Sequence, residues 1–304
     1  MKYFFLILTF GVSTSISFAQ DDLMNMLDAA TKDSVTTEYA TGTFKGNRVI
    51  NSQSVETVGK KVLSFVISHR FGRFSDGAYN FFGLDQATIR LGFEYGITDR
   101  LEIGCGRNSL NKVYDGYLKY KLLRQSKGAR AMPISAVLFS SVALVGIKET
   151  AFQEDFNNRL NYTYQLILAR KFSKSLSIQL SPTLIHRNLV EYKEIKNDVF
   201  AIGISGRYKL SKRISFNAEY FYMLPDQTFY KVGVDKVNYN NSLSIGFDIE
   251  TGGHVFQLHC TNSMGMIDKA FIAETSGRWD KGDIMFGFNV TRPFNLGKNK
   301  KKDK

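Results

Sequence analysis

The sequence predicts an all-β protein, an up-and-down antiparallel transmembrane β-barrel of about 12 strands. Three observations carry this. Long segments alternate apolar and polar residues with period two, connections alternate between short and long, and the 304 residues include only four prolines. A strand that crosses a bilayer at a tilt needs about ten residues, whereas globular strands average about five or six. The predicted strands are 62–71, 87–97, 101–107, 114–124, 132–148, 159–172, 176–187, 198–210, 214–224, 241–251, 254–262 and 283–293, and many reach that length. A soluble β-sandwich would alternate as well. The strand lengths, the scarcity of proline and the Ser, Thr, Asn, Gln and Gly on the polar face count against it.

The stretch ATIRLGFEYGITDRLEIGCGR (87–107) shows the pattern. Ala87, Ile89, Leu91, Phe93, Tyr95 and Ile97 alternate with Thr88, Arg90, Gly92, Glu94 and Gly96, and after a turn Leu101, Ile103 and Cys105 alternate with Glu102, Gly104 and Gly106. Successive side chains of a strand point to opposite faces. One face is therefore dressed for lipid and the other for a polar interior, with the backbone satisfied by closure of the sheet. The same alternation places Leu160, Tyr162, Tyr164, Leu166 and Leu168 against Asn161, Thr163 and Gln165, and Leu243, Ile245, Phe247 and Ile249 against Ser244, Gly246, Asp248 and Glu250. Tyr95, Phe172, Tyr208 and Tyr220 fall toward strand ends on the lipid face, where interfacial aromatic girdles form.

The short links are 98–100, 173–175, 211–213 and 251–253, with a longer one at 125–131; between them come 72–86, 108–113, 149–158, 188–197, 225–240 and 263–282. Short periplasmic turns and long outer loops are the habit of outer-membrane barrels, and an even strand number leaves both termini on the short-turn side.

No apolar run approaches the roughly 20 residues of a helical span. ISAVLFSSVALVGI (134–147) is too short and β-branched. The start reads as a signal peptide over residues 1–19: Lys2, an apolar core, then Ser17-Phe18-Ala19 before Gln20. Residues 20–58 form an N-terminal periplasmic or plug segment, 59–294 the barrel, and 295–304 a basic tail. Within the first of these, Leu23, Met24, Leu27 and Ala30 share one helix face, which suits a plug, a docking element or a disordered leader. Residues 31–58 are polar, with Phe44, Val49 and Ile50 expected to touch the barrel mouth. In loop 263–282, Met264, Met266, Ile267, Ala270 and Phe271 have near-helical spacing. That loop either folds inward, making Met266, Ile267 and Phe271 a constriction, or packs on its neighbours.

The lumen-lining candidates are Arg90, Glu94, Glu102, Asp115, Lys119, Arg207, Glu219, Asp248 and Glu250, joined by Lys121 and Lys209. Their signs nearly balance, which predicts cross-lumen salt bridges or weak selectivity rather than an anion pore. The net charge of +12 falls to +11 without residues 1–19. Much of the excess sits on the short-turn side, at Arg100, Arg124, Lys127, Arg130, Lys174, Lys212, Arg213 and the tail lysines, while the longer loops nearly balance. A basic rim suits anionic lipid headgroups or an acidic periplasmic partner, or it simply solvates the turns. Nucleic-acid binding is a poor reading for an exported barrel.

No cofactor and no metal are expected. His254 and His259, five apart on one strand, face opposite ways, and no G-x-S-x-G, H-E-x-x-H or Gly-rich phosphate loop occurs. His186 near Asn188 is the one enzyme-like pairing at a strand end. Cys105 and Cys260 fall on the third and eleventh predicted strands, which are not neighbours, so a disulfide is disfavoured.

The segments GLDQATIRLGFEYGITDRL (83–101), DGYLKYKLLRQSKGAR (115–130), SPTLIHRNLV (181–190), DVFAIGISGRYKL (198–210) and SIGFDIETGGHVFQLH (244–259) resemble a Bacteroidota family described as a membrane-bound β-barrel domain of unknown function. The resemblance runs from about Phe44 to Phe294 and implies a barrel in the outer membrane. It brings no catalytic residue or substrate. The expected function is a narrow passive channel for small solutes in the outer membrane. A closed-lumen scaffold for periplasmic partners is the alternative and an outer-membrane hydrolase the third. Oligomeric state is open.

Overall fold

The computed structural model describes Met26 and residues 36–148, 154–233 and 235–297. The expected signal peptide, the helix face at Asp21–Ala30 and the tail beyond residue 297 lie outside the described residues. Period-two alternation becomes twelve strands: β1 (Val62–Arg73), β2 (Ala87–Gly96), β3 (Leu101–Asn108), β4 (Tyr114–Leu123), β5 (Ser135–Leu144), β6 (Leu160–Lys171), β7 (Leu176–Arg187), β8 (Asp198–Lys209), β9 (Ile214–Met223), β10 (Ser242–Thr251), β11 (His254–Thr261) and β12 (Met285–Asn295). Each pairs antiparallel with its sequence neighbours, and β12 closes on β1 through a register from Met285 opposite Arg73 to Asn295 opposite Val62. The predicted up-and-down barrel of 12 strands is the observed fold.

The faces separate as the alternation requires. On β8, Phe200, Ile202, Ile204 and Tyr208 are exposed on the outer wall, while Val199, Ala201, Ser205 and Arg207 are buried inside. On β2, Leu91 and Phe93 point out and Arg90 and Glu94 point in. Phe172 and Tyr208 are exposed at the short-turn end. Cys105 on β3 and Cys260 on β11 are free thiols on separated strands.

Two expectations need correction. The predicted strand 132–148 is shorter, Ser135–Leu144, because Met132 bridges back to Ser126 inside the preceding connection. That connection is no plain turn: Ser126–Gly128 pairs with Thr37–Tyr39 and draws the N-terminal segment to the rim. The interior is also less uniformly polar than expected. Val137, Phe139, Ile167 and Ala169 line one part of the inner wall, and Ile185, Val199, Ala201, Phe221 and Met223 another.

Ile204 stands near the middle of β8 and Tyr208 near its end. Replacing Ile204 by Arg should lower the unfolding free energy in lipid by about 2–4 kcal/mol, and Tyr208→Arg by about 0–1 kcal/mol. Equilibrium unfolding in vesicles checks the difference.

Candidate functional site

Twelve strands enclose more space than wall side chains can fill. The chain fills it with itself. After Tyr39 the N-terminal segment turns inward, runs to a tip at residues 49–52, and returns along residues 54–58 to meet β1. Val49 N–H donates to the Ser52 carbonyl at 2.9 Å and Ser54 N–H to the Asn47 carbonyl at 2.8 Å, so the insert is a hairpin. Phe44, Val49, Ile50, Asn51, Ser52, Gln53, Ser54 and Val55 are all buried. The expected contact of Phe44, Val49 and Ile50 with the barrel mouth is thus deeper: these residues lie inside the lumen.

The wall fastens the hairpin group by group. Glu219, on β9, accepts from the backbone N–H of Ile50 (3.2 Å), Asn51 (2.8 Å) and Ser52 (3.1 Å), and from Ser52 Oγ (2.7 Å). Three consecutive N–H groups converging on one carboxylate form an anion nest, occupied here by the barrel's own side chain. Asn51 in turn accepts from Arg70 Nη2 at 2.6 Å and donates to Ser244 Oγ at 2.9 Å. Gln257 donates to the Val49 carbonyl, Asn289 to the Ile50 carbonyl, and Gln179 to the Gln53 carbonyl while accepting from Val55 N–H. Buried backbone groups that no strand partner reaches are thereby satisfied.

Nearer the short-turn end, Glu102 accepts from Val58 N–H (2.8 Å), Asn47 Nδ2 (3.0 Å) and Tyr117 Oη (3.1 Å), and Glu94 accepts from Asn47 Nδ2 (2.7 Å). Lys119 donates to the carbonyls of Asn47 and Glu56. Arg207 donates to the Gly42 carbonyl at 2.8 Å, and Lys45 pairs with Glu250. Arg90 pairs with Asp115 across β2 and β4. Asp248 accepts from Gln257 at 2.8 Å. All nine lumen-lining candidates therefore lie on the inner wall. Six of them contact the hairpin directly: Glu94, Glu102, Lys119, Arg207, Glu219 and Glu250.

Apolar contacts complete the fit. Phe44, Val49 and Val55 join Tyr117, Val137, Phe139, Ile167 and Ala169 in one buried cluster. Glycine makes room for the inward aromatics: a Cβ on Gly104 would sit 2.2 Å from the Tyr117 ring, and one on Gly203 2.4 Å from the Phe221 ring.

The other end is filled by the loop between β11 and β12. A short π-helical turn, Lys269–Ala273, carries Phe271, Ile272 and Ala273 against Ile185, Val199, Ala201, Phe221 and Met223. Phe271 stacks edge-on against Phe221 at 5.3 Å, Ile267 packs on Val113 and Ala143, and Met266 is 2 % exposed. The loop therefore folds into the barrel end and is also packed on its neighbours there.

Sequence reasoning missed Arg70 and Arg187, both buried on the inner face. Period two could have found them: Arg70 continues Ser64, Val66 and Ser68, and Arg187 continues Ser181, Thr183 and Ile185. His186, on the opposite face, is exposed and holds Asp198 at 2.6 Å across the β7–β8 pair. Among the described residues no group of three His, Cys, Asp or Glu side chains could hold a metal ion.

Over residues 44–294 the chain matches the family described as "Membrane bound beta barrel domain (DUF5777)". No curated protein matches it. Solved structures similar to it include a KdgM porin, with TM-score 0.44 and 9 % identity over 77 % of this chain and 99 % of that one. An outer membrane channel of Pseudomonas putida F1 gives TM-score 0.47 and 10 % identity over 79 % and 98 %. The outer membrane protein Omp33 of Acinetobacter baumannii gives 0.39 and 8 % over 77 % and 99 %.

Two outcomes follow from the lumen geometry. Glu219→Ala strands three buried N–H groups, so amide exchange at Ile50, Asn51 and Ser52 should rise about 30- to 1,000-fold, equivalent to about 2–4 kcal/mol. Burial pushes the carboxyl of Asp268, next to the π-helical turn, up to about 6, opposed by the charge of Arg48. An acid whose pKa is raised by folding favours the folded state when protonated. Docking of the loop should be tightest below the carboxyl's unfolded pKa and weaken as pH rises through about 6. Exchange at the Phe271 amide between pH 4 and 7.5 measures this, and Asp268→Asn should flatten the profile.

Proposed function

The chain belongs to the membrane-bound β-barrel domain family, and from that premise we propose an outer-membrane barrel forming a narrow passive channel for small solutes. Its lumen is closed in this state by the hairpin 43–58 from the short-turn end and by loop 263–282 from the other. One observation carries the reading: closure depends on two inserted segments rather than on the wall. The inner wall beneath them is mostly Ser, Thr, Asn, Gln and paired charge, a lining that water can hydrate once the inserts leave. Both arms of the hairpin exit at the same rim, so it can withdraw without threading anything through the barrel. The short-turn rim is the periplasmic one, and the leader-like residues 1–19 supply the export route.

A second reading is supported by the completeness of the plug's bonding and by the basic rim. Arg100, Arg124, Lys127, Arg130, Lys174, Lys212 and Arg213 surround the end where the hairpin enters. A permanently closed barrel would use that rim to hold an acidic periplasmic partner or anionic headgroups.

Single-channel recording of the refolded chain in a planar bilayer separates the two. The channel reading expects rare openings in the wild type, more frequent ones in Glu219→Ala, and steady discrete steps when residues 43–57 and 264–281 are both replaced by short linkers. A doubly trimmed barrel that folds by heat-modifiability and still passes no current overturns the channel and leaves the scaffold.

A further inference from the structure

Among the described residues, the ladder of the barrel wall has one mid-strand interruption without a register shift. Between β6 and β7 the antiparallel pairs run from Asn161 opposite Arg187 to Gln165 opposite Thr183, and resume at Leu168 opposite Leu180. The irregularities after Lys121 on β4 and after Met285 on β12 are register shifts toward strand ends. Here nothing is inserted, and the cause is Pro182. Bonded pairs on this seam recur at every second position: Asn188 N–H donates to the Leu160 carbonyl at one end and Phe172 N–H to the Leu176 carbonyl at the other. Leu166 and Pro182 fall on that series, and proline has no N–H for the Leu166 carbonyl. On its other side Pro182 faces Ile202 of β8 in an unbroken ladder. The loss is confined to the β6–β7 seam, at the centre of both strands, where hydrocarbon offers no replacement donor.

Both faces of the wall are apolar at this seam. Outside, an open groove of about 760 Å³ is lined by Leu166 and Pro182 together with Leu138, Tyr164, Leu184 and Phe200. Ser140, the outward residue of β5 between Leu118 and Tyr164 of its neighbours, also lines it. Two small side chains, Ser140 and Pro182, among large ones make the concavity. Inside, Ile167 lies opposite Ser181 in the interrupted stretch and is buried with Phe139 and with Phe44, Val49 and Val55 of the hairpin. Phe139 belongs to both the inner cluster and the groove lining. Groove and lumen cluster thus lie back to back across the weakened seam.

Lipid chains cover any groove on an outer wall. What marks this one is the apolar lumen cluster behind it and the missing bond between. Water replaces the polar contacts of the hairpin, but only another apolar group replaces those of Phe44, Val49 and Val55. We propose that the β6–β7 seam is a lateral portal, through which small apolar molecules pass between the apolar side of the lumen and the hydrocarbon of the bilayer. On the lumen side the molecule takes the place of the hairpin's apolar side chains against Ile167 and Phe139. On the lipid side it lies in the groove. The strands part there because the bond that would hold their centres together is missing. The portal rests on the channel reading, and deepens it by naming apolar molecules as a class of its solutes.

Photolabelling of the refolded full-length chain in vesicles, with adamantane diazirine partitioned into the bilayer, tests the route. Peptide mapping should find label on lumen-facing Phe139, Ile167 and Val55 as well as on Leu138 and Leu166 of the outer wall. Pro182→Val restores an N–H at the seam and should lower the lumen label about fivefold relative to Ile245 on the lipid face of β10, the shift that one regained backbone hydrogen bond makes. Ser140→Phe fills the groove and should act in the same direction, with the heat-modifiable band retained in both variants. No label on the lumen residues of the folded wild type, or undiminished lumen label in both variants, overturns the portal. The label is read on the closed barrel, so it can fail while the trimmed barrel conducts, and it can appear where the trimmed barrel passes no current.

Discussion

A barrel in hydrocarbon must bond every backbone group within the chain, and here the pairing of β12 with β1 completes that ring. The rest of the architecture depends on it. Closure at twelve strands sets a lumen wider than its own side chains can occupy. A lumen of that width is either water or protein, and this chain supplies protein from both ends. The cost of closure is then moved inward: the inserted segments bring unpaired backbone of their own to membrane depth. Irregular backbone survives there only where protein or water satisfies it.

The inner wall is built to meet that demand. Glu219 collects three N–H groups at the hairpin tip, while Gln179, Gln257 and Asn289 bond the backbone on either side of it. Side-chain amides are suited to this task because each offers a donor and an acceptor, so one residue reads both kinds of orphan group. Charged wall residues act locally in the same way. Glu94 and Glu102 are close to one another through Asn47, and Lys119 beside them compensates the pair while bonding the Asn47 and Glu56 carbonyls. The near balance of lumen charge is thus a bonding scheme for the insert.

Much of this was legible in the sequence, and the missing parts have a physical reason. Period two is a local signal, so it places Phe200 outside, Arg207 inside and the strand boundaries within a few residues. Where both faces of a strand carry apolar residues the signal fails. SAVLFSSVAL (135–144) has Leu138 and Val142 on the lipid side, Val137 and Phe139 facing the hairpin and Ala143 facing loop 263–282, so no alternation marks its register. The hairpin is invisible for a related reason. Residues 43–58 alternate with nothing, because their partners lie on strands up to 239 residues away, as for Asn289 with Ile50. Phe44, Val49 and Ile50 in a largely polar segment hinted at burial, and Val55 and Val58, buried as well, carried no such hint on their own.

The division of labour between polar and apolar contacts decides how such a plug can behave. A hydrogen bond between hairpin and wall contributes only about 0.5–1.5 kcal/mol net, because water entering the lumen replaces it. Apolar contacts have no such substitute, at about 25 cal/mol for each Å² returned to water. The resistance to withdrawal is therefore concentrated where Phe44, Val49 and Val55 meet Tyr117, Val137, Phe139, Ile167 and Ala169, along one side of the lumen. The opposite side, from Arg70 through Glu219 to Gln257, is polar and exchangeable. On the proposed channel reading, opening begins on that polar side by hydration, with the hairpin still resting on the apolar one. On the same reading, a hydrated path along that side forms before the plug has left the barrel.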